Sequence, residues 1–129
     1  MSCVFCKRVA YNTVVAENDL AAAFPDAFPI SPGHTLIVPR RHEADFFKLS
    51  ETEQAAVWSL INPVRHHIES THHPDAYNIG INVGDAAGQT IPHAHLHVIP
   101  RYKGDVQDAR GGIRWIVPTR ARYWTDPDG

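Results

Sequence analysis

Cysteine, excess charge of either sign and long apolar runs are what this chain has least of. Two cysteines in 129 residues do not make a disulfide framework. Twelve Lys and Arg stand against 14 Asp and Glu, for a formal charge of −2. That balance supplies no electrostatic footprint for a nucleic acid, so no nucleic-acid partner is expected. No apolar run approaches the ~18 residues of a membrane span. The first residues also lack the basic-then-apolar pattern of a secretory leader, so the expectation is a cytoplasmic protein with no membrane partner. Its thiols would then be reduced. The apolar content of 43% supports an ordinary core, and the length suits one domain over residues 1–129. Neither repeats nor a linker interrupt it.

Histidine is what the chain does have. There are nine, and three of them alternate with apolar residues in NVGDAAGQTIPHAHLHVIPR, from Asn82 to Arg101. Side chains alternate faces along a strand. His93, His95 and His97 are therefore expected on one face, with Ala94, Leu96 and Val98, followed by Ile99, turned into a core. Neighbouring imidazoles titrate near neutrality, bind metals and act as nucleophiles or acid–base groups. Gly84, Gly88 and Pro92 make a loop before the run, and Pro100 is expected to end it. Glycines at 84 and 88 could also let backbone N–H groups approach an anion.

The remaining elements follow from periodicity and punctuation. VFCKRVA and Val14–Glu17 read as short extended or partly helical pieces around a turn at Asn12. Leu20–Phe24 reads as a strand, Pro25 to Gly33 as a loop, and His34–Pro39 as a strong strand. Ser50 with Glu53 forms a capping box that opens a helix to about Ser70, with Val57, Leu60, Ile61, Val64 and Ile68 on its buried face. Pro63 should kink or divide that helix. Ala76–Val83 is a further strand, and IRWIVP after Gly111 and Gly112 a last short strand or packing segment. Neighbouring strand pairs with one long helix predict an α+β fold built on an antiparallel sheet.

HAHLHVI, flanked by Gly88, Gln89, Thr90 and Pro100, resembles the signature of the histidine triad (HIT) family of nucleotide hydrolases and transferases. CVFCK and FPDAFPISPGHTLIVPRRH resemble further blocks of that family, in the family's order. The resemblance implies a five-stranded antiparallel sheet with one long helix and a short one. It also implies a homodimer that joins two sheets. It is similar to the bacterial hydrolase-like branch and to the fragile histidine triad and histidine triad nucleotide-binding proteins. The implied reaction is attack by the middle histidine, His95, on the α-phosphorus of a purine nucleotide conjugate. The implied substrates are dinucleoside polyphosphates and nucleoside phosphoramidates, and the product is a nucleoside monophosphate. The backbone carbonyl of His93 would orient His95, His97 would donate to the phosphoryl oxygens, and His34 in PGH would lie beside the triad. Asp26 would accept from the ribose hydroxyls. Asn82, Gln89 and Thr90 would contact phosphate, ribose or leaving group, and Phe5, Phe24 and Ala27 would sandwich the base.

Cys3 and Cys6 on their own admit zinc, redox chemistry or coincidence. The resemblance implies a closed structural zinc site completed by His42 and His93. His66, His67, His72 and His73 read as a solvated face, and Arg40 and Arg41 as surface charge. Arg101 and Lys103 follow the triad without forming a basic cluster for a long polyphosphate. Trp115, Tyr123 and Trp124 are expected to bury against something. The competing readings are a non-catalytic nucleotide-binding or protein-interaction module, and a metal-storage protein. The latter leaves Gln89, Thr90 and the PGH block unexplained.

Overall fold

The computed structural model describes residues 3–11 and 13–125. The turn expected at Asn12 lies outside the described residues. Five strands form one antiparallel sheet in the order β1-β2-β3-β5-β4. They are β1 (Ala16–Glu17), β2 (Ala21–Pro25), β3 (Thr35–Pro39), β4 (Ala76–Ile81) and β5 (Leu96–Arg101). The helices are α1 (Val4–Tyr11), α2 (Glu51–Ser59) and α3 (Ile61–Thr71).

Strand alternation divides the apolar residues between the two faces. Ala21, Ala23, Ile37, Leu96 and Val98 meet Val57, Leu60, Val64 and Ile68 of the helical region in the main core. Each fully buried aliphatic side chain contributes about 1.5–3 kcal/mol. On the opposite face Phe24, Leu36 and Val38 pack with Phe5 of α1 in a smaller cluster. α1 thus covers part of that face, and the side chains of β4 and β5 beyond it are only half-buried: Asn78, His97 and Ile99.

The helical region begins at the expected box. Ser50 Oγ accepts from Glu53 N at 3.1 Å, and Ser50 N donates to Glu53 Oε1 at 2.9 Å. Arg41 holds the same carboxylate at 2.9 and 3.0 Å. That guanidinium lowers the Glu53 pKa to about 2. The helix divides at Leu60, and Pro63 sits in the first turn of α3, where a missing N–H has no intrahelical acceptor to lose.

Some expectations change. Val4–Tyr11 is helical throughout. Regular pairing in β5 starts at Leu96, so His93 and His95 precede the strand, and it runs through Pro100 to Arg101 instead of ending there. Pro100 is tolerated because β3 pairs with β5 only as far as Val98, leaving Pro100 with β4 alone as neighbour. Gly33 makes room for it. At φ +92° it occupies the left-handed region, and a Cβ there would meet Ile68 Cγ2 and Pro100 Cγ at 3.3 Å. Gly112–Ile116 is a 3-10 helix and not a strand, because Gly111 and Gly112 both adopt positive φ. Tyr123 is three-quarters exposed, contrary to expectation, whereas Trp115 and Trp124 are half-buried beneath arginines.

Candidate active site

The tautomers of the site can be read from its backbone contacts. The His93 carbonyl lies 2.8 Å from His95 Nδ1. A carbonyl only accepts, so Nδ1 carries the proton and Nε2 keeps a free lone pair. A second chain of contacts begins at Ile30, whose backbone N–H donates to His34 Nδ1 at 3.2 Å. His34 Nε2 must then hold the proton and donate to His97 Nδ1, 2.9 Å away. His97 is left with its proton on Nε2. Asp26 Oδ2 stands 3.5 Å from His34 Nε2 and favours the proton there. Burial keeps both rings neutral. It lowers the His97 pKa to about 4, aided by the neighbouring His95 and His34, and it lowers that of His34 against the pull of Asp26. One ring thus offers a nucleophilic nitrogen and its neighbour a hydrogen-bond donor.

The first histidine faces elsewhere. His93 is fully buried, and its Nε2 donates to the Pro39 carbonyl at 2.8 Å. Its Nδ1 lone pair is therefore free, and it points at Cys3 Sγ and Cys6 Sγ, 3.6 and 3.5 Å away. Cys6 Sγ lies 3.3 Å from His42 Nδ1. Cys3, immediately before α1, and Cys6 in its first turn lie on one side because they are three residues apart. The ligand atoms of Cys3, Cys6, His42 and His93 all lie within 4.8 Å of one another. A tetrahedral zinc with ordinary bond lengths separates sulfur and nitrogen ligands by about 3.5 Å. The four residues fit such an ion in donor type and in spacing. Burial and the neighbouring Cys3 raise the Cys6 pKa, a cost that a cation would remove.

A cavity of about 220 Å³ touches both His95 and His97. Phe5, Ala27, Thr90, Asn82 and Asp26 line it. So do Arg8, Phe28, Leu36 and Ile91, to which the sequence motifs assign no role. The apolar alternation of HTLIVP could have suggested Leu36, which is next to a β2 partner, Phe24. Arg8 carried no local signal. Its guanidinium stacks 4.4 Å above Phe24 and donates to Pro25 O at 2.9 Å.

Two expected binding residues are placed differently. Phe24 is fully buried behind Phe5, 5.6 Å between ring centres, and gives the cavity no surface. Gln89 is engaged by its own loop: Oε1 accepts from Gly84 N at 2.9 Å, and Nε2 donates to Ala44 O and Ile91 O at 2.9 and 3.1 Å. It holds the loop in shape instead of facing the cavity. The N–H groups of Gly84 and Gly88 are also taken, the latter by Asp85 O at 2.9 Å, so neither is left for an anion. Ile99 is on the His97 side of the sheet and not in the helical core. His66, His67 and His73 are exposed and His72 half-buried, outside any ligand cluster among the described residues.

Among the described residues no helix is long and apolar enough to cross a membrane. The family model of the HIT domain matches residues 7–104. The bis(5'-nucleosyl)-tetraphosphatase [asymmetrical] of Schizosaccharomyces pombe is 38% identical over 104 residues, spanning 81% of this chain and 57% of the relative. The adenosine 5'-monophosphoramidase hnt1 of the same organism is 38% identical over 104 residues, 78% of this chain and 75% of the relative. A crystal structure of a Zn-bound histidine triad family protein from Mycobacterium smegmatis superposes with a TM-score of 0.73 at 33% identity, covering 99% of this chain and 85% of that one. The fold, the arrangement of His93, His95 and His97, and these matches together make the chain a member of the histidine triad family.

Proposed function

We propose that the protein is a nucleotidyl hydrolase or transferase that cleaves purine nucleotide conjugates at the α-phosphorus and releases a nucleoside monophosphate. The observation that carries this reading is the 2.8 Å contact between His95 Nδ1 and the His93 carbonyl, which leaves Nε2 as a free nucleophile at a cavity shared with His97. The named activities of the two yeast relatives support the same class of chemistry.

In this mechanism His95 Nε2 forms a bond to the phosphorus while the bond to the leaving group breaks. The leaving atom departs with the bonding electron pair and takes a proton from solvent. The charge of the nucleotidyl-imidazolium remains on the ring, whose Nδ1–H stays on the His93 carbonyl. His97 Nε2–H donates to a phosphoryl oxygen as charge develops, and His34 positions His97. Water then attacks the phosphorus, yields its proton to solvent and returns His95 to its neutral form. Asp26 accepts from the ribose hydroxyls, Asn82 and Thr90 hold the phosphate, and Phe5, Ala27 and Leu36 flank the base.

Cys3, Cys6, His42 and His93 would hold a structural zinc that ties α1 to the sheet beneath the nucleophile. A cytoplasmic setting would keep the two thiols reduced for it. The proposed active form is a homodimer. β4 is an outer strand of six residues with an unpaired edge among the described residues, and such edges favour pairing.

Replacing His95 with Gly tests the reading. Turnover of adenosine 5'-phosphoramidate should fall by about 10⁴-fold or more, as when a covalent nucleophile is lost. Binding of adenosine monophosphate, followed by calorimetry, should persist. Unchanged turnover refutes the assignment. If the wild type has no turnover but binds the nucleotide, the non-catalytic reading replaces it.

A further inference from the structure

Two larger cavities continue from the site. The first, of about 480 Å³, touches His97 and Asp26 but not His95. The second, of about 1060 Å³, shares Asn78, Ile99 and Gly112 with it and ends among residues of the C-terminal segment. In-line displacement puts the leaving group on the side of the phosphorus away from the nucleophile. On the proposed reaction, which this inference presupposes, the leaving group enters the cavity that touches His97 and not His95.

The chemistry of the walls changes along that path. Next to His97 the wall is built from Ile30, Ile99, Ile113 and Ile116, with the backbone of β4 at Gly80 as its floor. No Lys or Arg lines this cavity among the described residues, and the carboxylate there is Asp26. A polyphosphate tail would meet carbon and no cation directly beyond the α-phosphorus. Farther out stand Arg101, Arg110 and Arg122. Asp105 binds Arg101 through two oxygens at 2.7 and 2.9 Å, and Asn78 takes its third contact at 2.6 Å, so that guanidinium is engaged in structure. Arg110 is held by Asp108 at 3.0 Å and stacked 4.8 Å from the Trp124 ring. Arg122 is exposed and lies 5.5 Å from the Trp115 ring; it adds to the charge that lowers the Asp108 pKa, but no hydrogen bond holds it to that carboxylate among the described residues.

We infer that the preferred leaving group is an amine with an apolar stem and an anionic far end, the stem lying along the isoleucine wall and the anion meeting Arg122. An ω-amino carboxylic acid joined to the nucleotide as a phosphoramidate has this form. In its cleavage the P–N bond breaks, the amine leaves with the electron pair and a proton from solvent, and water supplies the hydroxyl of the monophosphate.

The test compares adenosine 5'-phosphoramidates of 6-aminohexanoate and of hexylamine, with diadenosine tetraphosphate and the parent adenosine 5'-phosphoramidate as references. The carboxylate-ended amide should exceed the hexylamide in kcat/KM by about fivefold, the factor expected of one exposed charge pair. R122E should remove or reverse that preference while cleaving the parent phosphoramidate at the wild-type rate. Diadenosine tetraphosphate should be the poorer substrate. Equal kcat/KM for the two amides, a preference that survives R122E, or faster cleavage of diadenosine tetraphosphate overturns the inference. Failure to cleave the parent compound overturns the proposed function instead.

Discussion

A single backbone N–H, that of Ile30, sets the proton positions of two histidines. It leaves His34 Nε2 as the donor to His97, and His97 with its proton on Nε2, where the proposed mechanism needs a donor. Replacing His34 with Ala should therefore leave His97 free to exchange tautomers. Loss of an aligned donor costs about 10²–10³ in kcat, and KM for the nucleotide should change little. Nitrogen NMR of the imidazoles separates this from a general loss of structure. His97 should show a single Nε2–H form in the wild type and a mixture in the variant; a single form in both would show that His34 does not position it. At this scale His34, His95 and His97 were legible because HAHLHVI and PGH are local patterns. The employment of Gln89 was not. A glutamine in a glycine loop can face a ligand or brace the loop, and only the positions of the Ala44 and Ile91 carbonyls show that it braces.

The elements themselves rest on short-range rules. The Ser50–Glu53 box satisfies two of the free backbone donors at the start of α2. Replacing Ser50 with Ala should cost about 1 kcal/mol. Urea unfolding should show an earlier midpoint with an unchanged slope, and an unmoved midpoint would show that Arg41 alone holds Glu53 in place. Pro63 and Pro100 show where local rules stop. Each reads as a breaker, yet Pro63 is accommodated in the first turn of α3 and Pro100 where β5 lacks a β3 partner. Both outcomes depend on where the neighbouring elements begin and end, which the dipeptide alone does not say.

Across the whole molecule, buried neutral imidazoles link stability to pH. The His97 pKa lies at about 4 in the folded protein, below its ordinary value near 6.5. Between those values the unfolded chain binds the proton and the folded chain does not, so stability falls as pH drops through that window. The slope is about 1.4 kcal/mol per pH unit for one full proton. Thermal unfolding of the wild type should lose stability from pH 6.5 towards pH 4. His97→Asn should flatten this decline; identical profiles would assign it to other groups. The proposed zinc has its own signature. Elemental analysis should find one ion per chain. A chelator should lower the unfolding temperature of the wild type and leave Cys6→Ser, already without metal, unchanged. Metal-free protein from chelator-free purification would refute the site. Sedimentation at micromolar concentration should give a dimer, and a monomer alone would refute the paired-sheet form.

The sequence by itself determined the α+β class, the strand faces, the capped helix and the identity of the histidine, cysteine and aspartate residues, because each is written in periodicities and motifs spanning a few residues. The resemblance implied a division of labour within the triad, and only the tertiary structure decided which contacts orient each ring. Cys3 and Cys6 at the start of α1 and the Pro39 carbonyl turn His93 away from the cavity, while the Ile30 backbone orients His97 through His34. It alone also made a path out of residues as distant as Asn78, Ile99 and Arg122. Long-range packing aligns such groups with no regular spacing between them, and spacing is all that a sequence can display.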